Sequence, residues 1–286
     1  MFQQSGAEKT TMPRVGVPGI ARSAAGACLM ILAAAASASA QYGRPSMSDP
    51  AIGEKYHVEA VLNFWNPDLE AQISSESLGI IGSDIDLKTD LGYVDKSIRE
   101  FRFVLRPAKK HKFRIAYTPV HYSGDVILTK DIIFNGIHFT VGLPIQTEFK
   151  WNTWRFGYEY DFIYRDRGYV GFIVEARETD ASLSLITPLD DEFTRARGPI
   201  PAIGGVGRFY PIKNLSITGE VTGFKLPDID RYQGDFIDYD FYGTFNFTQN
   251  FGVQGGYRKL DASYLAKRDS GSLNLKGLYF TGVVRF

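Results

Sequence analysis

The sequence predicts an all-β fold: a closed antiparallel β-barrel of about ten strands, within a range of eight to twelve, in an up-and-down meander that crosses a membrane. Three observations predict it. The last stretch, Ser272–Phe286, alternates to its final residue, with Leu278, Phe280, Gly282, Val284 and Phe286 on one face and Tyr279, Thr281, Val283 and Arg285 on the other. Period-two alternation is the strand pattern, and a terminal strand leaves a row of backbone donors and acceptors open unless another strand covers it. Pairing it with the first strand closes the sheet. The same alternation recurs along the chain between short polar turns. Finally, no stretch after residue 40 reaches 18 apolar residues, and mean hydropathy is slightly negative. That excludes a spanning helix but allows a barrel that presents an apolar side chain only at every second position.

The start of the chain agrees with its end. Residues 1–40 read as a cleaved signal peptide: Lys9, Arg14 and Arg22, then the apolar run AAGACLMILAAAASASA closing on Ala38-Ser39-Ala40. The run is shorter than the roughly 20 residues of a spanning helix. The only cysteine, Cys28, has most of the apolar run after it rather than before it, which argues against a lipid-attachment box. Cleavage leaves no thiol and no disulfide. The 32 basic and 32 acidic residues cancel, so no net field favours nucleic acid. Abundant Phe, Tyr and Gly suit aromatic girdles and tight turns.

Residues 41–54 are polar and read as a loose leader. The first strand is expected over 55–65, with Tyr56, Val58, Ala60, Leu62 and Phe64 against His57, Glu59, Val61 and Asn63, and Pro67 ends it. Residues 68–96 form a long connection with its own alternation in 83–88, which allows a strand extension or an outer hairpin. Further strands are expected at 97–105, 112–123, 146–162, 169–185 and 201–210, the last with unclear faces. The next begins at Leu215, with Leu215, Ile217 and Val221 against Ser216, Thr218, Glu220 and Thr222. The cleanest alternation follows, Ile237, Tyr239, Phe241, Phe245 and Phe247 against Asp238, Asp240, Tyr242, Thr244 and Asn246. Strands at 251–265 and 272–286 complete ten. Short turns fall at 107–111, 163–168, 211–214 and 249–250; longer loops are expected at 68–96, 124–145, 186–200, 226–235 and 266–271. An even count brings both ends of the barrel domain to the short-turn side. A soluble β-sandwich would also carry one polar face, but leaves the aromatic terminal strand and the signal peptide unexplained.

Tyr279, Gly282, Val284 and Phe286 make the last strand similar to that of bacterial outer-membrane β-barrel proteins, in kind the small OmpA- and OmpW-like barrels of a Gram-negative envelope. Gly282 stands one position later than that family's usual glycine, with Thr281 in its place. The resemblance implies export to the outer membrane, a periplasmic leader over 41–54 and an outer-membrane domain over 55–286. It further implies that the terminal aromatic strand is the signal read by the barrel-assembly machinery, and that outer-membrane lipid and lipopolysaccharide surround the barrel. Nothing in the sequence sets an oligomeric state.

By strand parity the inward face carries Glu59, Glu100, Arg102, Arg114, Arg155, Glu159, Asp161, Glu175, Arg177, Glu220, Asp238, Asp240 and Arg258. Charges of both signs in a narrow lumen must pair or stay hydrated. Two roles follow from them: a structural, charge-paired core, or a narrow polar path for small solutes. A wide porin-like channel needs about 16–18 strands. No metal or cofactor is predicted. Glu159 and Asp161 have the spacing any inward face gives, and Asp190-Asp191-Glu192 reads as a solvated acidic loop rather than a Ca²⁺ site. His57, His111, His121 and His138 form no zinc-type motif. His121-Tyr122-Ser123 resembles the His-x-Ser motif of outer-membrane lipid A deacylases, and that resemblance implies an alternative hydrolase reading. Ser123 would be nucleophile, His121 its base and Glu148 the orienting acid, on the lipid-facing side. The family carries this motif near the C-terminus, whereas here it is mid-chain.

Overall fold

The computed structural model of the chain describes residues 51–75, 80–187, 191–229, 232–266 and 269–286. The signal peptide and residues 41–50 of the leader lie outside the described residues. The strands are β1 (Val58–Ser74), β2 (Ile85–Asp86), β3 (Ile98–Ala108), β4 (His111–Ile127), β5 (Ile132–Phe134), β6 (Ile137–Phe139), β7 (Pro144–Arg165), β8 (Gly168–Ile186), β9 (Asp191–Ile212), β10 (Leu215–Ile229), β11 (Tyr232–Asn246), β12 (Phe251–Ala266) and β13 (Asp269–Arg285). Ten of them, β1, β3, β4 and β7 to β13, pair antiparallel in chain order, and β13 returns to β1 from Glu59↔Arg285 to Ser74↔Ser270. The sheet closes on itself, and β1 and β4 lose β3 as a neighbour only above Trp65 and Tyr117, so in the lower half the strands satisfy one another's backbone groups, as a lipid surrounding could not. The small strand β2 folds back on β1, and β5–β6 form a hairpin whose turn, Asn135-Gly136, takes positive φ at both residues, the conformation of a two-residue primed turn.

The strands are longer than their alternation predicts. β1 runs through Pro67 to Ser74, β4 extends to Ile127, and β9 begins at Asp191, so most of the expected loops 186–200 and 226–235 are strand. Pro107 lies inside β3 rather than in a turn. Only the connections after β1 and β4 are long. The physical reason is a change of chemistry part-way up each strand. In the half nearest the short turns, outward positions are apolar: Phe64, Phe172, Phe241 and Phe280 are all exposed, while Glu59, Glu175, Asp238 and Thr281 point inward and are buried. Further up the same strands, with the same parity, Glu70, Glu178 and Lys276 point outward, and Leu69, Leu183 and Leu275 are buried inside. The hydrophobic phase thus slips by one residue while the backbone does not.

The outward apolar stretch of β13, Leu278–Phe286, rises about 21 Å at ~3.4 Å per residue and a tilt of ~40°, near the ~25 Å apolar band of membrane barrels. Above it β8 climbs from Glu178 to Ile186, about as far again.

Pro67 sits where β1 is paired with β13 but no longer with β3, whose register stops at Trp65↔Ile98. A proline there forfeits little, since it needs no donor on an unpaired side. Its partner across β13 is Gly277, where a Cβ would fall 2.1 Å from the Asn66 carbonyl oxygen; only glycine lets the strands approach this closely. Above Trp65 the segment 80–97 replaces β3 along the edge of β1. Leu69 N–H donates to Asp95 Oδ1 at 3.0 Å, and Leu87 N–H donates to the Ala71 carbonyl at 3.0 Å.

The barrel interior as candidate functional site

The interior is stacked in layers, each set by which residues the inward parity delivers at that height. At the short-turn end, residues 51–56 lie across the opening, where a loose leader was expected. Tyr56 is buried there, against the parity that placed it with Leu62 and Phe64. Glu54 reaches in: Arg208 Nη1 and Tyr210 Oη donate to its Oε1 at 3.0 and 2.7 Å, and Arg106 Nη1 lies 3.4 Å from Oε2. Burial by itself raises this carboxyl; Arg208, Lys112 and Arg106, with the Tyr210 hydroxyl, outweigh it and hold it below its ordinary 4.5.

The next layers are ion pairs. Lys112 Nζ bridges Glu159 at 2.6 Å and Asp161 at 2.9 Å, so the paired carboxylates share one cation. Arg285 Nε donates to Glu59 at 2.6 Å. Arg114 links Glu159 (3.1 Å) to both oxygens of Glu220 (2.8 Å). Arg155 donates to Glu175 at 3.1 Å, and Arg177 pairs with Glu175 and, at 3.0 Å, with Asp238. Arg258 grips Asp238 with two bonds of 2.9 and 2.8 Å and reaches Glu100 at 2.5 Å. Glu100 also accepts from the Thr118 hydroxyl. Asp240 accepts from Tyr279 Oη at 2.7 Å, and the Arg102 guanidinium stands 5.9 Å from the centre of the Tyr242 ring.

Most of the charges read from parity, from Asp161 through Glu159, Glu220, Glu175 and Asp238 to Glu100, join in one chain of ion pairs, while Glu59, Asp240 and Arg102 stand beside it with Arg285, Tyr279 and Tyr242. Sequence reasoning missed Glu54, Arg106, Lys112, Arg208 and Arg285. The parity of Arg285 with Thr281 carried a signal. Arg208 was hidden by the glycine-rich β9, and Glu54 precedes any strand.

Above the ion pairs lies an aromatic layer. The Arg258 guanidinium faces Trp65 at 5.0 Å and Arg177 faces Phe236 at 4.1 Å, geometries in which a cation is attracted to the ring face. Higher still, Leu69, Ile73, Phe149, Leu183 and Leu273 pack with Ile85, Leu87 and Leu91 of the 80–97 segment and with Ile132, Phe134 and Phe139 of the β5–β6 hairpin. Small cavities remain among the described residues, such as one among Ala71, Phe149, Leu183 and Leu273 and one under Trp151 beside Arg155, with room for one or two waters (about 20 and 10 Å³).

On the outer face, β4 and β7 bring two of the hydrolase candidates, His121 and Glu148, into contact, with Ser123 on the same face. Ser123 stands directly opposite Glu148 and His121 opposite Lys150. His121 Nε2 is 2.9 Å from Glu148 Oε1, while Lys150 Nζ donates to Glu148 Oε2 at 2.6 Å. All four are at least partly exposed, just above the apolar belt. The other histidines are scattered: His57 against the Arg106 carbonyl, His111 against Tyr158 Oη, and His138 near Asp131. Asp190 lies outside the described residues; Glu192 accepts from Asn135 Nδ2 at 2.7 Å. At the last strand, Gly282, Val284 and Phe286 lie outward and Tyr279 inward. Phe286 N–H donates to Val58 O at 2.8 Å and its carbonyl accepts from Val58 N–H at 2.9 Å, so the terminal residue is tied to the first strand.

No protein-family model matches the chain, and no curated protein matches it significantly. Among solved structures it is similar to the outer membrane protease OmpT from Escherichia coli, at 10% identity and a TM-score of 0.55, covering 84% of this chain and 100% of that one. It also aligns with the attachment invasion locus protein Ail of Yersinia pestis, at 8% identity and a TM-score of 0.34, over 78% of this chain and 97% of that one. The translocator domain of the autotransporter NalP from Neisseria meningitidis aligns at 10% identity and a TM-score of 0.34, over 93% and 98%. The last two carry no weight at those scores. The OmpT likeness speaks for the fold alone, and the chain shares that fold, a closed antiparallel β-barrel, with a protein of the bacterial outer membrane.

Proposed function

We propose that this is an integral outer-membrane barrel of a Gram-negative-type envelope with a closed lumen, acting as a structural and surface-presenting element rather than as an open pore. The short turns and the leader face the periplasm and the upper half stands outside, among lipopolysaccharide. The observation that carries the reading is the filled interior: paired charges in the belted half, and above them an apolar core that offers a solute no polar path. The C-terminal strand, with Phe286 outward and bonded to β1, supplies the assembly signal. Planar-bilayer recording on refolded protein tests the reading. Silence is expected; long-lived conductance would replace it with passage of small solutes through the lumen.

The contact of His121 with Glu148 favours a second reading, a hydrolase acting on acyl chains of lipid A, with Ser123 as nucleophile. Lys150 competes for the same carboxylate, which weakens Glu148 as an orienting partner. Mass spectrometry of lipid A from cells with and without the protein decides it. An acyl chain missing with the wild type and restored by Ser123→Ala would establish the hydrolase.

A further inference from the structure

The segment 51–56 has the contacts of a bound ligand. Ile52 N–H donates to the Lys213 carbonyl at 2.7 Å and Ala51 N–H to the Asp166 carbonyl at 3.3 Å. Gly53 N–H donates to Gln249 Oε1 at 2.7 Å, and Asn246 Nδ2 donates to the Ile52 carbonyl at 2.8 Å. These groups sit on three separate turns, so the segment straps the end of the barrel from several sides. Gly53 takes φ +89°, and a Cβ there would come within 2.7 Å of Asn246 and 2.8 Å of the Arg285 guanidinium. A left-handed glycine lets the backbone drop into the opening.

Glu54 follows at once and enters a site built without it. Arg208 on β9 is held by Thr218 Oγ1 at 2.9 Å, and Arg106 on β3 by the Lys109 carbonyl at 2.8 Å. Each guanidinium is thus positioned by the barrel itself and keeps further N–H groups pointed at one place. Both arginines are buried, and so is Tyr210. Lys112 nearby is already taken by Glu159 and Asp161. Without the Glu54 carboxylate, buried Arg208 would lose its anion, a costly arrangement, while Arg106 Nη1, which also donates to the Glu54 carbonyl at 2.5 Å, would keep that oxygen.

We propose that Arg106, Arg208 and Tyr210 form a carboxylate-binding site at the base of the barrel, and that Glu54 is its tethered ligand, latching the 51–56 strap across the opening. The ligand class is a carboxylate because one oxygen takes the Tyr210 hydroxyl and an Arg208 N–H while the other faces Arg106. The geometry asks for two oxygens on one planar group.

Chemical rescue tests this. Glu54→Ala is refolded into detergent at neutral pH, and its thermal midpoint is read by heat-modifiable gel mobility in sodium acetate and in sodium chloride of equal ionic strength. The midpoint should fall by several degrees in chloride, and acetate should restore at least half of that loss. Acetate should do nothing for the wild type, nor for Glu54→Ala combined with Arg208→Met. Equal midpoints in the two salts, or the same acetate gain in the wild type, would overturn the proposal. If Glu54→Ala folds in acetate but not in chloride, that also supports the site. If it folds in neither, Glu54→Gln, which keeps the shape without the charge, decides: a lowered midpoint supports the latch and an unchanged one overturns it.

Discussion

The belted half and the upper half of this barrel are built largely from the same strands, and along β7 and β8 the pairing runs through the change-over without a shift, yet their chemistry is inverted. Around β8 the lower half turns Phe172 and Val174 outward and Glu175 and Arg177 inward; the upper half turns Glu178 and Asp180 outward and Leu183 and Leu185 inward. The lower half is apolar outside and charged within, and the upper half is built like a water-soluble barrel around its own hydrophobic core. The difference teaches that strand parity fixes direction only. Which direction is apolar depends on what lies there, lipid or water outside and ion pairs or packed side chains inside. Trp65 and Phe236, each with a guanidinium on its face, sit at the change-over.

The comparison can be broken most severely from inside the lower half. Asp238 faces Arg258, Arg177 and Arg155. Asp238→Ala should cost about 3–5 kcal/mol in urea unfolding of refolded protein, because it strands buried guanidiniums. A cost no larger than the ~1 kcal/mol of an exposed pair would mean these charges are hydrated rather than dry.

Inside the upper half, β8 should respond to volume instead of charge. Leu183→Ala should lose about 2–5 kcal/mol, the cost of a core cavity. Four residues below, Thr179→Ala should lose only about 0.5–1.5 kcal/mol, the worth of its hydrogen bond to Thr153. Similar losses at both would deny the upper half a packed core.

Outward positions sharpen the contrast further. Arginine at Phe241, if near the bilayer midplane, should cost roughly 2–4 kcal/mol. At Ser184, outward on β8 above the belt, it should stay within about 0.5 kcal/mol. Equal costs would reject the placement of the belt.

The smallest expected effect concerns the strap. Glu54 is faced by Arg106, Arg208, Lys112 and Tyr210, and its folded value lies below the ordinary 4.5. Its contribution is therefore fully present above that ordinary value and lost as pH falls through the lower folded one. The protection of the Ile52 and Gly53 amides, measured against their intrinsic exchange rate at each pH, should fall on acidification well before that of the barrel amides. Glu54→Gln should leave those two amides unprotected at both pH values. A strap equally protected in acid would show that the carboxylate is not its latch.

The sequence by itself determined the all-β class, the closure of the last strand on the first and the inward direction of the charged residues, because period-two alternation and a terminal aromatic strand are local properties. It also placed His121, Ser123 and Glu148 on one face, though not within reach of one another. Tertiary structure decided the rest. The strands continue past Pro67 and through 191–200 because their neighbours pair with them, while the phase slip at the change-over erases the local signal. Glu148 meets His121 only because β7 is held opposite β4 after a hairpin whose length fixes no register. Glu54 became part of the interior because a glycine turn and three distant turns carry it there, and no periodicity in a short polar segment could foretell those contacts.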